Sequence, residues 1–260
     1  MDRSTRVTHS DIVDGLEQLG IRKGDIVFAH SSLSAFGHVE GGESVGVEAL
    51  SESVEPSGAV VVPTFGDYFQ NSDSAWDPSN SPSRMGRISE CLRTRPDAIR
   101  SRHAIHPVSA IGARSADVVG QDHKTDFDED SPFQRLIECG AWILLLGVGW
   151  NVCTMLHVAE ERLEVPYRRW IERSGKVILD GVAQDRSYRF LARYPGVRND
   201  FNPMGELLER KGLVSTAEIG DASCRAILAS DLHTEAMAAV TGDPCVLVSE
   251  DTREEAQKYC

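Results

Sequence analysis

Between residues 147 and 161 the chain reads GVGWNVCTMLHVAEE. On a helix running from Thr154, the side chains of Thr154, His157, Glu160 and Glu161 stand three or four positions apart and fall on or near one face. An imidazole beside a carboxylate titrates near neutrality and can take a proton from a nucleophile. The same spacing also fits a solvated helix face with one incidental histidine, and these residues alone leave both readings open. The second histidine of a His-Glu-x-x-His zinc motif is missing, so no metal is expected. Cys153 is a rival nucleophile next to Thr154, although burial as a structural thiol is the commoner fate of such a cysteine.

Two further stretches carry polar groups suited to a ligand. HSSLSAFGHVEGG (30–42) offers the hydroxyls of Ser31, Ser32 and Ser34 and their amides to a phosphate or an extended amide chain. It reads equally well as a serine-rich loop between a strand and a helix. RSRHAIHPVS (100–109) gathers Arg100, Arg102, His103 and His106, which invites an anion or simply adds solubility. Between Gly66 and Pro82 a polar stretch carries Asp67, Tyr68, Phe69 and Trp76, and those aromatics either rim a pocket or pin the loop. Gly147-x-Gly149 starts like a dinucleotide fingerprint, but Val152 stands where the third glycine belongs, so NAD binding is rejected. What remains is a turn whose free backbone N–H groups can stabilise developing negative charge.

These residues need a scaffold that brings distant segments to one edge. DIVFAH (25–30), GAVVVPTF (58–65), HPVSAIG (106–112) and AWILLLGVG (141–149) read as short buried strands. Helices are predicted for THSDIVDGLEQLG, GGESVGVEALSESV, MGRISECLRTRPD and SPFQRLIEC, the last with Ser131 as N-cap and Pro132 in its first turn. A helix is also expected to begin near Asn151. Alternation of this kind predicts an α/β fold, a mixed central sheet flanked by helices. After Pro166, Ser-Gly and Asp-Gly punctuate short β-type segments, which predicts an antiparallel elaboration before two closing helices, NPMGELLERKGLV and ASDLHTEAMAAVTGD. One domain over residues 1–260 is the expectation.

Composition narrows the function classes. Twenty-seven basic against forty acidic residues give a net charge of −13, which argues against nucleic-acid binding and favours approach of a cationic ligand, or simply solubility. The longest apolar run, Ala141–Leu146, is too short to span a bilayer, and the N-terminus shows no secretory pattern, so no membrane association is expected. The six cysteines form no CxxC pair, which argues against a zinc site or a disulfide framework and suits the cytoplasm.

Taken in order, HSSLSAFGHVEGG, PTF, WDP, SPSRMG, RSRHAIHPVSAIG, SPFQRL, ILLLGVGWNVCTMLHVAEE and VPY resemble the aminoglycoside 3-N-acetyltransferase family from about Ile12 to Val248. The resemblance implies the antibiotic acetyltransferase fold, distinct from the common GNAT acetyltransferases. It implies acetyl-CoA as donor and a cationic aminoglycoside as acceptor, with a monomer or homodimer as the acting species. His157 is then the general base, Thr154 and the turn amides stabilise the thioester oxyanion, and Glu160 orients the histidine or holds the acceptor. Ser31, Ser32, Leu33, Ser34, Phe36 and Gly37 match the segment that grips coenzyme A, while Arg100, Ser101, His106 and Ser109 match a strand lining the same channel. Asp200, in an Asp-Phe pair, is implied as a second carboxylate near the histidine. Asp67, Tyr68, Glu160 and Glu161 are candidates for acceptor binding, together with the acidic run Asp128, Glu129 and Asp130. The sequence departs from the family in that run, DHKTDFDEDSP, and at Trp150 and Cys153, all where an acceptor would be selected. Three other readings stay open: the same chemistry on a non-antibiotic amine, a Cys153/His157 hydrolase, and a non-catalytic binding protein.

Overall fold

A computed structural model describes residues 5–66, 75–120 and 122–259. In chain order the elements are β1 (Arg6–Val7), α1 (His9–Gln18), β2 (Ile26–Ser31), β3 (His38–Val39), α2 (Gly42–Val54), β4 (Ala59–Pro63) and α3 (Arg87–Arg93). There follow β5 (Ile99–Arg100), β6 (Val108–Gly112), α4 (Ser115–Val119), α5 (Pro132–Glu138), β7 (Trp142–Leu146) and α6 (Leu156–Arg162). The chain then forms β8 (Arg168–Leu179), β9 (Val182–Arg193), α7 (Asn202–Arg210), β10 (Ser215–Ile219), β11 (Ala222–Leu228), α8 (Ala229–Gly242) and α9 (Arg253–Gln257).

Seven strands make the central sheet in the order β10-β11-β7-β2-β4-β6-β5. β7, β2 and β4 are parallel, and the strands outside them run antiparallel. Central parallel strands are buried on both faces, which is why Trp142–Leu146 is apolar throughout. Successive residues serve opposite layers. Ile26, Phe28, Ile143 and Leu145 pack on the side of α5, α6 and α8. Val27, Ala29, Leu144 and Leu146 pack on the side of α1, α2 and α3.

The antiparallel elaboration is a two-stranded ribbon, β8–β9, paired over twelve residues and closed by Asp180-Gly181, both at positive φ. Trp76 joins it by two backbone hydrogen bonds, to Lys176 and from Ile178. The expected helices and strands are present, together with the short helices α4 and α9, which were not expected. The helix expected near Asn151 begins at Leu156, because residues 150–152 form a single 3-10 turn. The hairpin β10–β11 was not expected; it extends the sheet beyond β7 and lies between the two closing helices.

Candidate active site

β2 leads through α2 to β4 on one side, while β7 lies against the other side of β2. The winding reverses there, and a crevice forms at the carboxyl ends of β2 and β7, the usual ligand position in such sheets. The Ser31–Phe36 segment leaves β2 at this edge, and the Gly147–Thr154 turn leaves β7. Gly147 has φ +67°, and a Cβ on it would lie 2.6 Å from the Cβ of Ala35. Only glycine lets the two segments come this close. His30 ties them together: its Nε2 accepts the Thr154 N–H at 3.4 Å and lies 3.2 Å from the Thr154 hydroxyl. Burial pushes the His30 pKa down to about 3, so the ring is a neutral acceptor.

α6 presents His157 in its first turn. Nδ1 of His157 donates to Oε2 of Glu160, one turn along the same helix. Glu160 is 1% exposed, and four groups hold its two oxygens. The Tyr167 hydroxyl donates at 2.5 Å and the Asn199 amide at 2.7 Å to Oε1, while Arg168 pairs with Oε2 at 2.8 Å. Burial works against this carboxylate, but Arg168, His157 and the hydrogen bonds bring its pKa to about 2. His157 is lowered from its ordinary value by burial, opposed by Glu160 and reinforced by Arg168. Glu160 therefore fixes the tautomer with Nδ1 protonated and leaves Nε2 as the basic nitrogen.

His157 lines a cavity of about 310 Å³, walled by α6, the ribbon residues Arg168, Phe190, Leu191 and Arg193, and the loop residues Asp126 and Phe127. Phe201 packs edge-on against His157 with ring centroids 5.1 Å apart. Glu161 also lines this cavity. It accepts from the Thr125 hydroxyl at 2.5 Å and the Phe127 N–H at 3.2 Å, and burial raises its pKa to about 7. A second cavity, of about 630 Å³, is lined by Ser31, Ser32, Leu33, Ser34 and Gly37, with Gly41, Gly42 and Arg87 opposite. Gly41 and Gly42 begin α2, whose first N–H groups lack intrahelical partners and suit an anion.

The structure thus brings His157, Glu160 and Glu161 to one cavity and five of the six Ser31–Gly37 candidates to the other. Phe36 is buried beneath its loop. The other expected channel residues go elsewhere. Arg100 binds Thr64 and the Ser81 carbonyl, Ser101 accepts the Val108 N–H, and Ser109 bonds Thr64. His106 lines the cavity of His157. Asp200 bonds Asn202 at the start of α7, and its neighbours Asn199 and Phe201 line the cavity instead. Thr154 sits at the His30 junction and Asp128 caps its own loop through the amides of Lys124 and Thr125. Asp67 and Tyr68 lie outside the described residues. Cys153 is fully buried and its thiol is pushed up to about 12, so it supplies no thiolate nucleophile. Among the described residues no His, Cys, Asp and Glu group is arranged for a metal, and no helix is long and apolar enough to cross a membrane.

Residues 28–241 match the family described as aminoglycoside 3-N-acetyltransferase. The chain belongs to this family. An aminoglycoside N(3)-acetyltransferase VIII of Streptomyces fradiae is 32% identical over 74% of the chain and 73% of its own length. An aminoglycoside N(3)-acetyltransferase VII of Streptomyces paromomycinus is 29% identical over 87% and 88%. The solved structure of AAC-IIIb, a binary complex with CoASH, superposes with a TM-score of 0.83 at 22% identity, covering 92% of this chain and 97% of that one. The fold is therefore the aminoglycoside 3-N-acetyltransferase fold, and the chain is an acetyltransferase. Local spacing in the sequence placed His157 and Glu160 one helical turn apart, and the structure joins them by a hydrogen bond. Sequence reasoning gave no role to His30, Asp126, Tyr167, Arg168 and Asn199, although His30 and Tyr167 lie inside HSS and VPY and Arg168 and Asn199 directly adjoin VPY and the Asp-Phe pair.

Proposed function

We propose that the protein transfers the acetyl group of acetyl-CoA directly to an amine of an aminoglycoside, with His157 as general base. The observation that carries this reading is the His157–Glu160 pair, its carboxylate buried and held by Arg168, Tyr167 and Asn199, its half-buried imidazole lining a cavity. An amine attacks only as its free base, and a neutral imidazole is suited to taking its proton. Coenzyme A would lie along Ser31–Ser34, with its pyrophosphate at the amides of Gly41 and Gly42, and its thioester would approach Thr154. A neutral His30 fixes Thr154, the residue that would stabilise the thioester oxyanion. The family and the CoASH complex of AAC-IIIb support this choice of donor, and the relatives' activities support the acceptor. The position acetylated is the 3-amine by the same likeness.

Turnover of a panel of aminoglycosides with acetyl-CoA tests the reading. The wild-type enzyme is expected to acetylate at least one, and His157→Ala to lower kcat by about 10²–10⁴-fold. Full transfer by His157→Ala would remove the base assignment. Turnover of simple amines but of no aminoglycoside would remove the acceptor assignment alone.

A further inference from the structure

An ammonium nitrogen carries three protons and the nitrogen of the amide product carries one, so two protons leave it for each acetyl group transferred. One ends on the sulfur of coenzyme A, and the other must reach solvent. A single imidazole holds one proton at a time. The cavity of His157 contains a second imidazole backed by a carboxylate. His106, just before β6, has its Nδ1 3.1 Å from Oδ1 of Asp126. Its side chain is 21% exposed, whereas that of Asp126 is 1% exposed, so the carboxylate stands behind the ring and the ring faces the cavity. A buried carboxylate thus stands behind each of the two imidazoles, hydrogen-bonded to the ring at His157 and in close approach at His106, and the Phe127 ring packs against both, with centroids 5.5 and 5.9 Å away.

Asp126 connects further. Nδ1 of the buried His103 lies 3.3 Å from the same Oδ1. These are close approaches without hydrogen-bond geometry: among the described residues neither Asp126 oxygen has a hydrogen-bond partner, and neither has Nδ1 of His106 or either ring nitrogen of His103. Buried polar atoms left in this way call for an explanation. His103 stacks on His123, and the two line a small cavity with the exposed Arg102 and Asp122. The group His106–Asp126–His103 thus runs from the cavity of His157 to a buried imidazole beside this small cavity.

We propose that His106 is the second base of the reaction, and that Asp126 behind it stabilises the imidazolium it becomes. The bound ammonium first gives a proton to His106. The free amine then attacks, the C–N bond forms, and His157 takes the second proton. The C–S bond breaks with its electron pair on sulfur, which receives the proton from His157. The proton on His106 returns to solvent through the cavity that its ring lines, once the product has left. From α6, His157, Glu160 and Glu161 face this station; from the ribbon, Arg168, Arg173 and Arg193 do; His123 stands behind it. The proposal rests on the acetyl transfer to an amine argued above.

The test is the pH profile of kcat/KM for His106→Ala, with acetyl-CoA and the aminoglycoside that the wild-type enzyme turns over fastest. The variant is expected to lose about 100-fold at pH 7. It should recover about tenfold per pH unit toward the pKa of the amine, as the free base is supplied by solution. Added imidazole should restore part of the loss at pH 7, and Asp126→Asn should follow the same slope. A loss of equal size at every pH, or an unchanged profile, overturns the proposal. If His106→Ala does not fold in a thermal melt, His106→Gln, which keeps an amide against Asp126, gives the same reading. His157→Ala, run in parallel, is expected to show the loss of about 10²–10⁴-fold stated above. Its full activity, or a wild-type enzyme with no turnover of any amine, would defeat the underlying reaction instead.

Discussion

Glu160 has two carboxylate oxygens and four partners, so nothing is left over for an acceptor. A buried charge survives only when it is paired and hydrogen-bonded, and here the partners also choose the histidine tautomer. Arg168 matters most, because its guanidinium reaches Glu160, lies 3.2 Å from Nδ1 of His157 and bonds Asn199. The working form of His157 is the neutral ring. Burial and Arg168 both disfavour the imidazolium, so the acid limb of kcat/KM should lie below the ordinary imidazole value of about 6.5. In Arg168→Gln one of those effects is gone while Glu160 still favours the charged ring. The His157 pKa rises, and the limb is expected to move up by about one pH unit. A limb that stays in place or moves down would show that Arg168 does not act on the base. The local half of this site was legible, since His157 and Glu160 sit one helical turn apart. The long-range half was not: Asn199 lies thirty-nine positions from Glu160, and choosing its neighbour Asp200 missed it by one residue. Asp126 was hidden for another reason. It sits inside an acidic run, and composition does not reveal which member of a run is buried.

At the scale of elements, the site depends on two turns in contact, the one after β2 and the one after β7. Gly147 is where they meet, with Ala35 and the Ser32 carbonyl within reach of any added Cβ. Gly147→Ala introduces both a contact at 2.6 Å and a side chain at positive φ. It is expected to cost about 1–3 kcal/mol of stability. Because the displaced partner is the Ser32–Ala35 turn, KM for acetyl-CoA should rise more than KM for the acceptor. Equal change in both would disconnect this contact from the donor groove. The strands and helices around these turns were readable from apolar periodicity, and the ribbon from its Asp-Gly turn. β10 and β11 were not, because Ser215–Ile219 and Ala222–Leu228 alternate small and polar residues without a long apolar signal. The late start of α6 has a packing cause. Trp150 lies over Gly205 of α7, where a Cβ would stand 2.1 Å from its ring, and its Nε1 donates to Glu209 at 3.0 Å. That docking holds residues 150–152 in a separate turn, which no local propensity announces.

The whole molecule responds to pH through the polar groups buried at its working edge. His30 and His103 are held neutral by burial, with pKa values of about 3 in the folded protein against about 6.5 unfolded. As pH falls below 6.5 the unfolded chain takes up these protons and the folded protein does not. Each ring then removes up to about 1.4 kcal/mol of stability per pH unit. His157, lowered in the same direction, adds to the loss. Glu161 acts in the opposite sense. Burial raises it to about 7 from 4.5, so between those values the folded state binds the proton first and gains stability as pH falls. Three histidines against one glutamate leave a net loss of about 1–3 kcal/mol per pH unit between pH 6.5 and 5. Glu161→Gln keeps an oxygen for Thr125 and the Phe127 amide but cannot titrate. It is expected to be more stable than the wild-type protein at pH 8, where the buried carboxylate is ionised, and to lose stability more steeply between pH 7 and 5. Urea unfolding of both proteins at pH 8, 7, 6 and 5 measures the two slopes. Parallel slopes would show that Glu161 does not take up its proton near neutrality, and a wild-type stability that holds constant below pH 6.5 would show that the buried histidines are not kept neutral.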